Sequence, residues 1–377
     1  MPEILILVDW FYPGYRAGGP IVSTLNLAVA LRDRYRIKIY TTDTDLGTNE
    51  PYPGIKTGEW NRDVIQGVDI FYARKDQLGF SEMKSFIANS GADYVYLNHV
   101  FSPKFVLLPL WLKLTGQLKS EVVVCPRGGL FPSALAIKTY KKWPVLKLLR
   151  WMGIARKTSF HATNAAEKEA ILLHFPGSSI NIADNLPFQG IAAHSVIEKS
   201  PGELKCIFVG RVLDIKNLLL ALKALRSLTA KVQLTIVGPV EDQAYWKTCQ
   251  ETIDALPENI TVHYAGALPK FDVIAAIQQH HLFVLPTRGE NYGHAIIEGL
   301  ISGRPVLISD QTPWRGLQEK GIGWDLPLDE QAFASAMNQA AQWTQSAFDG
   351  FAGRSYEFAR DYASDPKLVE PYFEIFK

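Results

Sequence analysis

The sequence predicts an α/β protein built from two doubly wound, Rossmann-like domains. Three observations carry that expectation. Short apolar runs of strand type alternate with amphipathic helical segments along both halves of the chain. The runs are continuously apolar, as strands buried on both faces of a parallel sheet must be. At 377 residues the chain is also too long for one ordinary core, so about two domains are expected.

In the first half, residues 4–8, 37–41, 94–97 and 121–125 read as strands, with a helix over 20–32. In the second half the strands are 206–209, 232–237, 260–264, 282–285 and 306–308. Helices there start near Asn217, Glu241, Phe271 and Gly293. The polar segment 190–202, closing on Pro201-Gly202, is the linker candidate, so the expected domains are 1–195 and 196–360, with 361–377 as a separate final helix. No low-complexity segment and no short-period repeat is present.

Ligands of open α/β sheets lie beyond the carboxyl ends of strands, where loops enter helices. The most informative stretch, Gly289-Glu290-Asn291-Tyr292-Gly293-His294-Ala295-Ile296-Ile297-Glu298, sits at such a place. Glu290 falls in the turn and Glu298 lies about two helical turns along. Between them, the N–H groups of the first turn at Asn291, Tyr292 and Gly293 suit a phosphate or a sugar hydroxyl. A carboxylate deeper on the helix can accept two ribose hydroxyl hydrogens. After the first strand comes Tyr12-Pro13-Gly14-Tyr15-Arg16-Ala17-Gly18-Gly19-Pro20, a glycine loop that either admits a ligand or only turns a corner. The first strand of the second half ends in Gly210-Arg211-Val212-Leu213-Asp214-Ile215-Lys216-Asn217, where Arg211 and Lys216 can converge on one anion. At Gly238 the next strand ends in a glycine that serves either a base or ribose, or the turn alone.

These signatures follow one another in order: Gly210-Arg211 with Lys216-Asn217, Ile236-Val237-Gly238, Glu290-Asn291-Tyr292-Gly293 with Glu298, and Gly303-Arg304-Pro305-Val306. Together they resemble the family 4 retaining glycosyltransferases of the GT-B fold, which make bacterial surface polysaccharides, phospholipid glycosides and sucrose-type sugars. The resemblance is continuous over about residues 205–327 and weaker over the first domain, which in this family binds the acceptor. It implies two domains facing a central cleft, with the final helix crossing back onto the first. It also implies that Arg211 and Lys216 hold the donor diphosphate, Glu298 the ribose and Glu290 the donor sugar, while Gly18 and Gly19 approach the diphosphate from the first domain. Relatives often carry Pro-His-Gly facing the donor sugar; here the turn is Pro126-Arg127-Gly128-Gly129. Arg127 either places a fixed cation there or points elsewhere. Asn98 stands where relatives often have a polar or histidine residue.

Other signals carry less. Asp43-Thr44-Asp45 has the Asp-x-Asp form that holds a divalent metal in the other major glycosyltransferase fold, but it lies far from the donor motifs in sequence. His99, His161 and His294 are single, and only His280-His281 are adjacent, so core or surface roles are expected and no metal site. Trp314 edges a cleft or packs. Neither a Gly-x-Gly-x-x-Gly nor a Walker-type loop occurs. The near balance of 39 Lys+Arg against 38 Asp+Glu argues against bulk nucleic-acid binding. Three cysteines in or beside apolar runs, no leader-like N-terminus, and an apolar stretch over 105–114 broken by Lys113 predict a cytoplasmic chain with core thiols.

From Lys138 through Lys141, Lys142, Lys147, Arg150 and Arg156 to Lys157 there is no acidic residue. Pro144 is placed to open a helix whose apolar stripe would be Val145, Leu148, Leu149 and Met152. Such a helix either lies on the inner face of an anionic membrane or packs on the core with a solvated basic face. The expected activity is a metal-independent, retaining transfer of a hexose-type sugar from a nucleoside-diphosphate sugar to a glycan acceptor, lipid-linked, with no cofactor. The rivals are a nucleotide-sugar epimerase of the same fold, which would need no acceptor, and a sugar-binding protein without turnover.

Overall fold

The computed structural model describes residues 1–136, 139–188 and 195–377. The chain divides into two compact units, Met1–Gln189 with Asp365–Lys377, and Gly190–Ser364. Of the linker candidate 190–202, residues 190–194 lie outside the described residues, and 195–200 have no regular structure.

The first unit contains strands β1 (Glu3–Leu7), β2 (Arg36–Thr42), β3 (Trp60–Ile65), β4 (Val68–Ala73), β5 (Tyr94–Asn98), β6 (Glu121–Cys125), β7 (Ser159–Ala162) and β8 (Ser179–Ile182). They form one sheet in the order β3-β4-β2-β1-β5-β6-β7-β8. Successive strand residues face opposite sides, and β1 shows what that requires of the sequence. Ile4 and Ile6 enter a core with Ile37, Ile39, Leu27 and Leu31, whereas Leu5 and Leu7 enter another with Val95, Leu97, Met83 and Phe105. Burial on both faces leaves no position for a polar residue, which is why the strand reads as an unbroken apolar run. The last thirteen residues join the first of these cores. Tyr372, Ile375 and Phe376 are buried in it, and the Tyr372 hydroxyl donates to Asp184 O at 2.8 Å.

The second unit contains β9 (Glu203–Val209), β10 (Lys231–Val237), β11 (Ile260–Gly266), β12 (Leu282–Leu285), β13 (Val306–Ser309) and β14 (Gly323–Leu326). Their order is β11-β10-β9-β12-β13-β14, with every pairing parallel. The chain therefore winds outward in one direction from β9 and in the other from β12. Between these two strands lies the switch point.

Two expectations need correction. The first sheet is not purely parallel, because β3 pairs antiparallel with β4 across a turn at Gln66-Gly67. A two-residue connection can only join antiparallel neighbours. As a polar edge strand (Trp60-Asn61-Arg62-Asp63), β3 carries no apolar run to betray it. The helix Thr139–Trp151 begins before Pro144 and holds it inside. Lys138 lies outside the described residues. This helix buries Leu146 and Leu149, leaves Val145 and Met152 half-buried, and exposes Leu148, so the expected stripe is rotated. Among the described residues no helix is long and apolar enough to cross a membrane.

Cys125, Cys206 and Cys249 are buried thiols, each pushed up by burial. The buried histidines are satisfied in the neutral form. In His161, Nδ1 lies 2.7 Å from the Tyr96 hydroxyl and Nε2 2.7 Å from Ala183 O. In His281, Nδ1 accepts from Lys205 N at 3.0 Å and Nε2 lies 2.9 Å from Glu198 O. Burial pushes His161 down to about 3 and His281 to about 4. A depressed histidine stays neutral when folded while the unfolded chain takes up a proton below about pH 6.5. Their contribution to stability is therefore full above pH 6.5 and is lost as the pH falls toward the folded values. Urea unfolding should show a lower midpoint at pH 5 than at pH 7, and the imidazole NMR signals of His161 and His281 should not titrate across that interval.

Candidate active site

Two loops meet at the switch point of the second unit. The first follows β9 and contains a short 3-10 turn, Asp214–Lys216, closed by Asn217 in the left-handed region at φ 55°. The second follows β12 and leads through Thr287, Arg288, Gly289 and Glu290 into the helix His294–Ile301. Ile215 O accepts from Thr287 Oγ1 at 3.0 Å and from Arg288 N at 2.7 Å. Arg288 also reaches Asn217 Oδ1 at 3.3 Å and Asp214 Oδ2 at 3.5 Å. The largely buried side chains of Lys216 and Glu290 complete the junction as an ion pair, Nζ to Oε1.

Arg211 and Lys216, expected to converge on one anion, are engaged separately here. Arg211 is held by Glu241, with Nη1 at 2.9 and 3.1 Å from its two oxygens, and remains about half exposed (45%). Its cation is thus on the same loop as Lys216 but has a carboxylate partner of its own. Glu298, fully inside the helix, faces Lys270 at 3.5 Å. Burial raises the Glu298 carboxyl and lowers the Lys270 amine, while each partner pulls the other back toward its charged form. The site therefore holds two carboxylate–lysine pairs, 216 with 290 and 270 with 298.

Gly293 opens the helix at φ 82°, and a β-carbon there would lie 2.8 Å from Ile296 Cδ1. Asn291 is half-buried in the turn before it, and Tyr292 is buried. Trp314 packs: its indole N–H donates to Tyr292 O at 2.6 Å, and its ring meets Tyr362 at 5.3 Å. Gly238 has a structural cause. Its φ is 143°, and a β-carbon would sit 2.0 Å from Gly210 O, because the ends of β9 and β10 come together there. Arg304 is also structural, buried and donating to Ser195 O and Gly303 O.

The glycine loop of the first unit differs. Gly18 takes φ 68° and stands before the helix Gly19–Leu31, whereas Gly19 has no left-handed φ; a β-carbon on either meets nothing within 4 Å. No described neighbour demands a glycine at position 19, and open space beside a helix start is what an approaching ligand needs. Asp45 holds this loop by accepting from Tyr15 N at 2.9 Å and Arg16 N at 3.2 Å. Asp43, buried beside it, is raised by burial. At the end of β1, Asp9 accepts from Ser102 Oγ at 2.7 Å, and burial raises it too.

Arg127, a non-glycine residue at φ 51°, turns its guanidinium into the first unit. Its Nε donates to Asn98 Oδ1 at 2.9 Å, Nη2 to the Tyr96 hydroxyl at 3.2 Å, and Nη1 to Asn185 Oδ1. Asn98 in turn donates to Thr24 Oγ1 at 3.0 Å, tying β5 to the first helix. Behind the turn, buried Glu167 accepts from Gly128 N and from Thr163. Arg127 is thus a knot among neutral groups. Lys270 and Glu241 were not legible as partners in the sequence because Glu298 and Arg211 lie 28 and 30 positions away, and Asp45, legible only as part of an Asp-x-Asp pair, instead holds the glycine loop. Arg288 could have been found, since it directly precedes the Gly289-Glu290 signature.

Residues 192–340 match the family model described as "Glycosyl transferases group 1". The whole chain superposes on crystal structures of Anabaena Alr3699/HepE in complex with UDP and glucose (TM-score 0.68, 15% identity, covering 100% of this chain and 98% of that one). It also superposes on WaaG, "a glycosyltransferase involved in lipopolysaccharide biosynthesis" (TM-score 0.64, 13% identity, 99% and 98%). Sucrose-phosphate synthase from Thermosynechococcus elongatus fits similarly (TM-score 0.64, 16% identity, 100% and 98%). The fold is GT-B. No curated protein matches by sequence. The resemblance drawn from the motifs is borne out by the family model and by the fold of these relatives.

The two kinds of glycine separate in a stability measurement. Gly238→Ala should destabilise the second unit by about 2 kcal/mol or more, through strain and overlap with Gly210. Gly19→Ala should leave the unfolding midpoint of the first unit unchanged or slightly higher. Thermal or urea unfolding followed by calorimetry checks both.

Proposed function

We propose that the protein is a metal-independent, retaining glycosyltransferase that moves a hexose-type sugar from a nucleoside-diphosphate donor to a lipid-linked glycan in surface-polysaccharide assembly. The observation that carries this reading is the Lys216–Glu290 pair at the switch point, beside the start of the helix His294–Ile301. Breaking the bond from the sugar C1 to the donor phosphate leaves negative charge on the departing diphosphate. Preorganised cations and a helix N-terminus stabilise that charge as it develops. Lys216, neutralised by Glu290 at rest, would exchange the carboxylate for a phosphate oxygen. Arg211 and Arg288, on the same two loops, would add to the field. Glu290, released, would accept from hydroxyls of the sugar. Glu298 would accept from the ribose while keeping its contact with Lys270.

Both site carboxylates are thus occupied in binding, which leaves no evident protein nucleophile. Same-face substitution is the chemistry that fits. The acceptor oxygen bonds to C1 as the phosphate leaves, and a phosphate oxygen takes the acceptor proton. The relatives support uridine as the base to try first, since Alr3699/HepE is described with UDP and with UDP-glucose. WaaG's described role supports a polysaccharide acceptor.

Lys216→Ala should lose on the order of 100-fold or more in turnover while the protein stays folded; near-normal rates would remove the assignment. A saturating UDP-sugar at about 100 times its dissociation constant should raise stability by roughly 2.7 kcal/mol, read as a thermal shift. Transfer should persist in EDTA, and NMR of the product should show the anomeric configuration of the donor. Turnover of donor without any acceptor would favour an epimerase instead.

A further inference from the structure

We propose that the helix Thr139–Trp151 is a docking face for an anionic lipid bilayer. Its outward side carries large apolar side chains that the unit leaves in water: Tyr140 is 74% exposed, Trp143 43%, Leu148 52% and Trp151 83%. Tyr140, Trp143 and Trp151 recur at helical spacing on one side, with Leu148 flanking them. Leu146 and Leu149 face the opposite way into the core. An exposed strip of two tryptophans, a tyrosine and a leucine is more than scattered surface apolarity. Trp and Tyr are the side chains that settle at a membrane–water boundary, one end apolar and the other wet.

Charge selects the occupant. Lys141, Lys147 and Arg150 are exposed among the aromatic residues, and Arg156 and Lys157 follow directly. No acidic residue interrupts them, although the chain as a whole carries a net charge of only +1. The remainder of the protein is therefore net acidic, and positive charge is concentrated where the apolar side chains stand out. Lys142 and Lys157 count less in this set, since their Nζ groups are turned onto backbone oxygens, Ala134 O at 2.6 Å and Leu114 O at 3.0 Å. Basic residues interleaved with boundary-seeking aromatics match a surface of anionic headgroups over acyl chains. A second copy of the same chain would bring like charges together. The proposal extends the lipid-linked acceptor of the functional reading, and vesicle binding tests it without donor or turnover.

The full-length protein is mixed with phosphatidylglycerol vesicles and, separately, with phosphatidylcholine vesicles, and binding is read by co-sedimentation and by tryptophan emission. Wild type should bind the anionic vesicles at low salt with a blue shift, and the neutral ones far less. Each basic residue near the surface is worth about fivefold in partition, so Lys141→Gln/Lys147→Gln/Arg150→Gln should weaken binding about 100-fold. Trp143→Ser/Leu148→Ser/Trp151→Ser should lower binding and abolish the blue shift. Apart from the edge contact of Trp143 with His174 at 6.0 Å, these side chains face solvent, and unfolding midpoints measured alongside confirm folded variants. The proposal falls if wild type ignores anionic vesicles at low salt or if both variants bind as wild type does. It falls equally if sedimentation shows a wild-type dimer that the serine variant breaks while vesicles are left unbound.

Discussion

The junction between the loops after β9 and β12 is the constraint on which the second unit's site depends. Two parallel strands that begin opposite windings leave a crevice at their carboxyl ends, and something must hold its lips in register. Here Ile215 O, Arg288 and the Lys216–Glu290 pair do so together. A lysine this little exposed would be costly to keep charged alone. The Glu290 carboxylate compensates it while leaving both groups at the mouth, where a competing anion can replace one partner. A resting ion pair of this kind keeps the cation in position before any ligand arrives. The second pair, Lys270 with Glu298, repeats that logic one layer deeper.

The first unit solves a similar problem with neutral groups. Arg127 gathers oxygens from Asn98, Asn185 and Tyr96, and the Tyr96 hydroxyl passes the chain of hydrogen bonds to His161 and Ala183. Burial that keeps His161 neutral suits this position, because a second cation beside the guanidinium would be repelled. The network braces the carboxyl ends of β5, β6 and β7. It leaves the approach over Gly18 and Gly19 open, with Asp45 pinning the loop from below. The carboxyl ends of the two sheets thus differ: lysine–carboxylate pairs hold the second, while in the first Arg127 is bonded to neutral oxygens.

The helix Thr139–Trp151 shows how a correct composition can sit on a misjudged face. Its basic residues are plain in the sequence, but Val145, Leu148, Leu149 and Met152 overlap on the helix surface with Leu146 and Leu149, and packing alone decides which stripe faces the core. Proline is favoured in a first turn, and its missing N–H costs a helix one hydrogen bond inside. Here the helix nevertheless begins at Thr139. Packing of Leu146 and Leu149 against the core sets its phase and leaves Trp143, Leu148 and Trp151 facing outward.

What the sequence determined by itself was local and periodic. Unbroken apolar runs specify strands buried on both faces, and glycine and cation signatures at their ends mark the switch-point loops. Glu290, Glu298, Lys216 and Gly293 could all be named from their places at strand ends, and the motifs that hold them carry the resemblance to GT-B glycosyltransferases over about residues 205–327. What only the tertiary structure decided was partnership. Arg211 goes to Glu241, Glu298 to Lys270 and Arg127 to neutral oxygens, each across dozens of residues that no periodicity connects. Polar edge strand β3 was invisible because an edge has one neighbour and no need of apolar residues. Gly238 is glycine because the neighbouring backbone leaves no room for a side chain, while Gly19 has no such neighbour. Spacing along a chain reports which face a residue can occupy; only the fold brings a second charge or backbone against it.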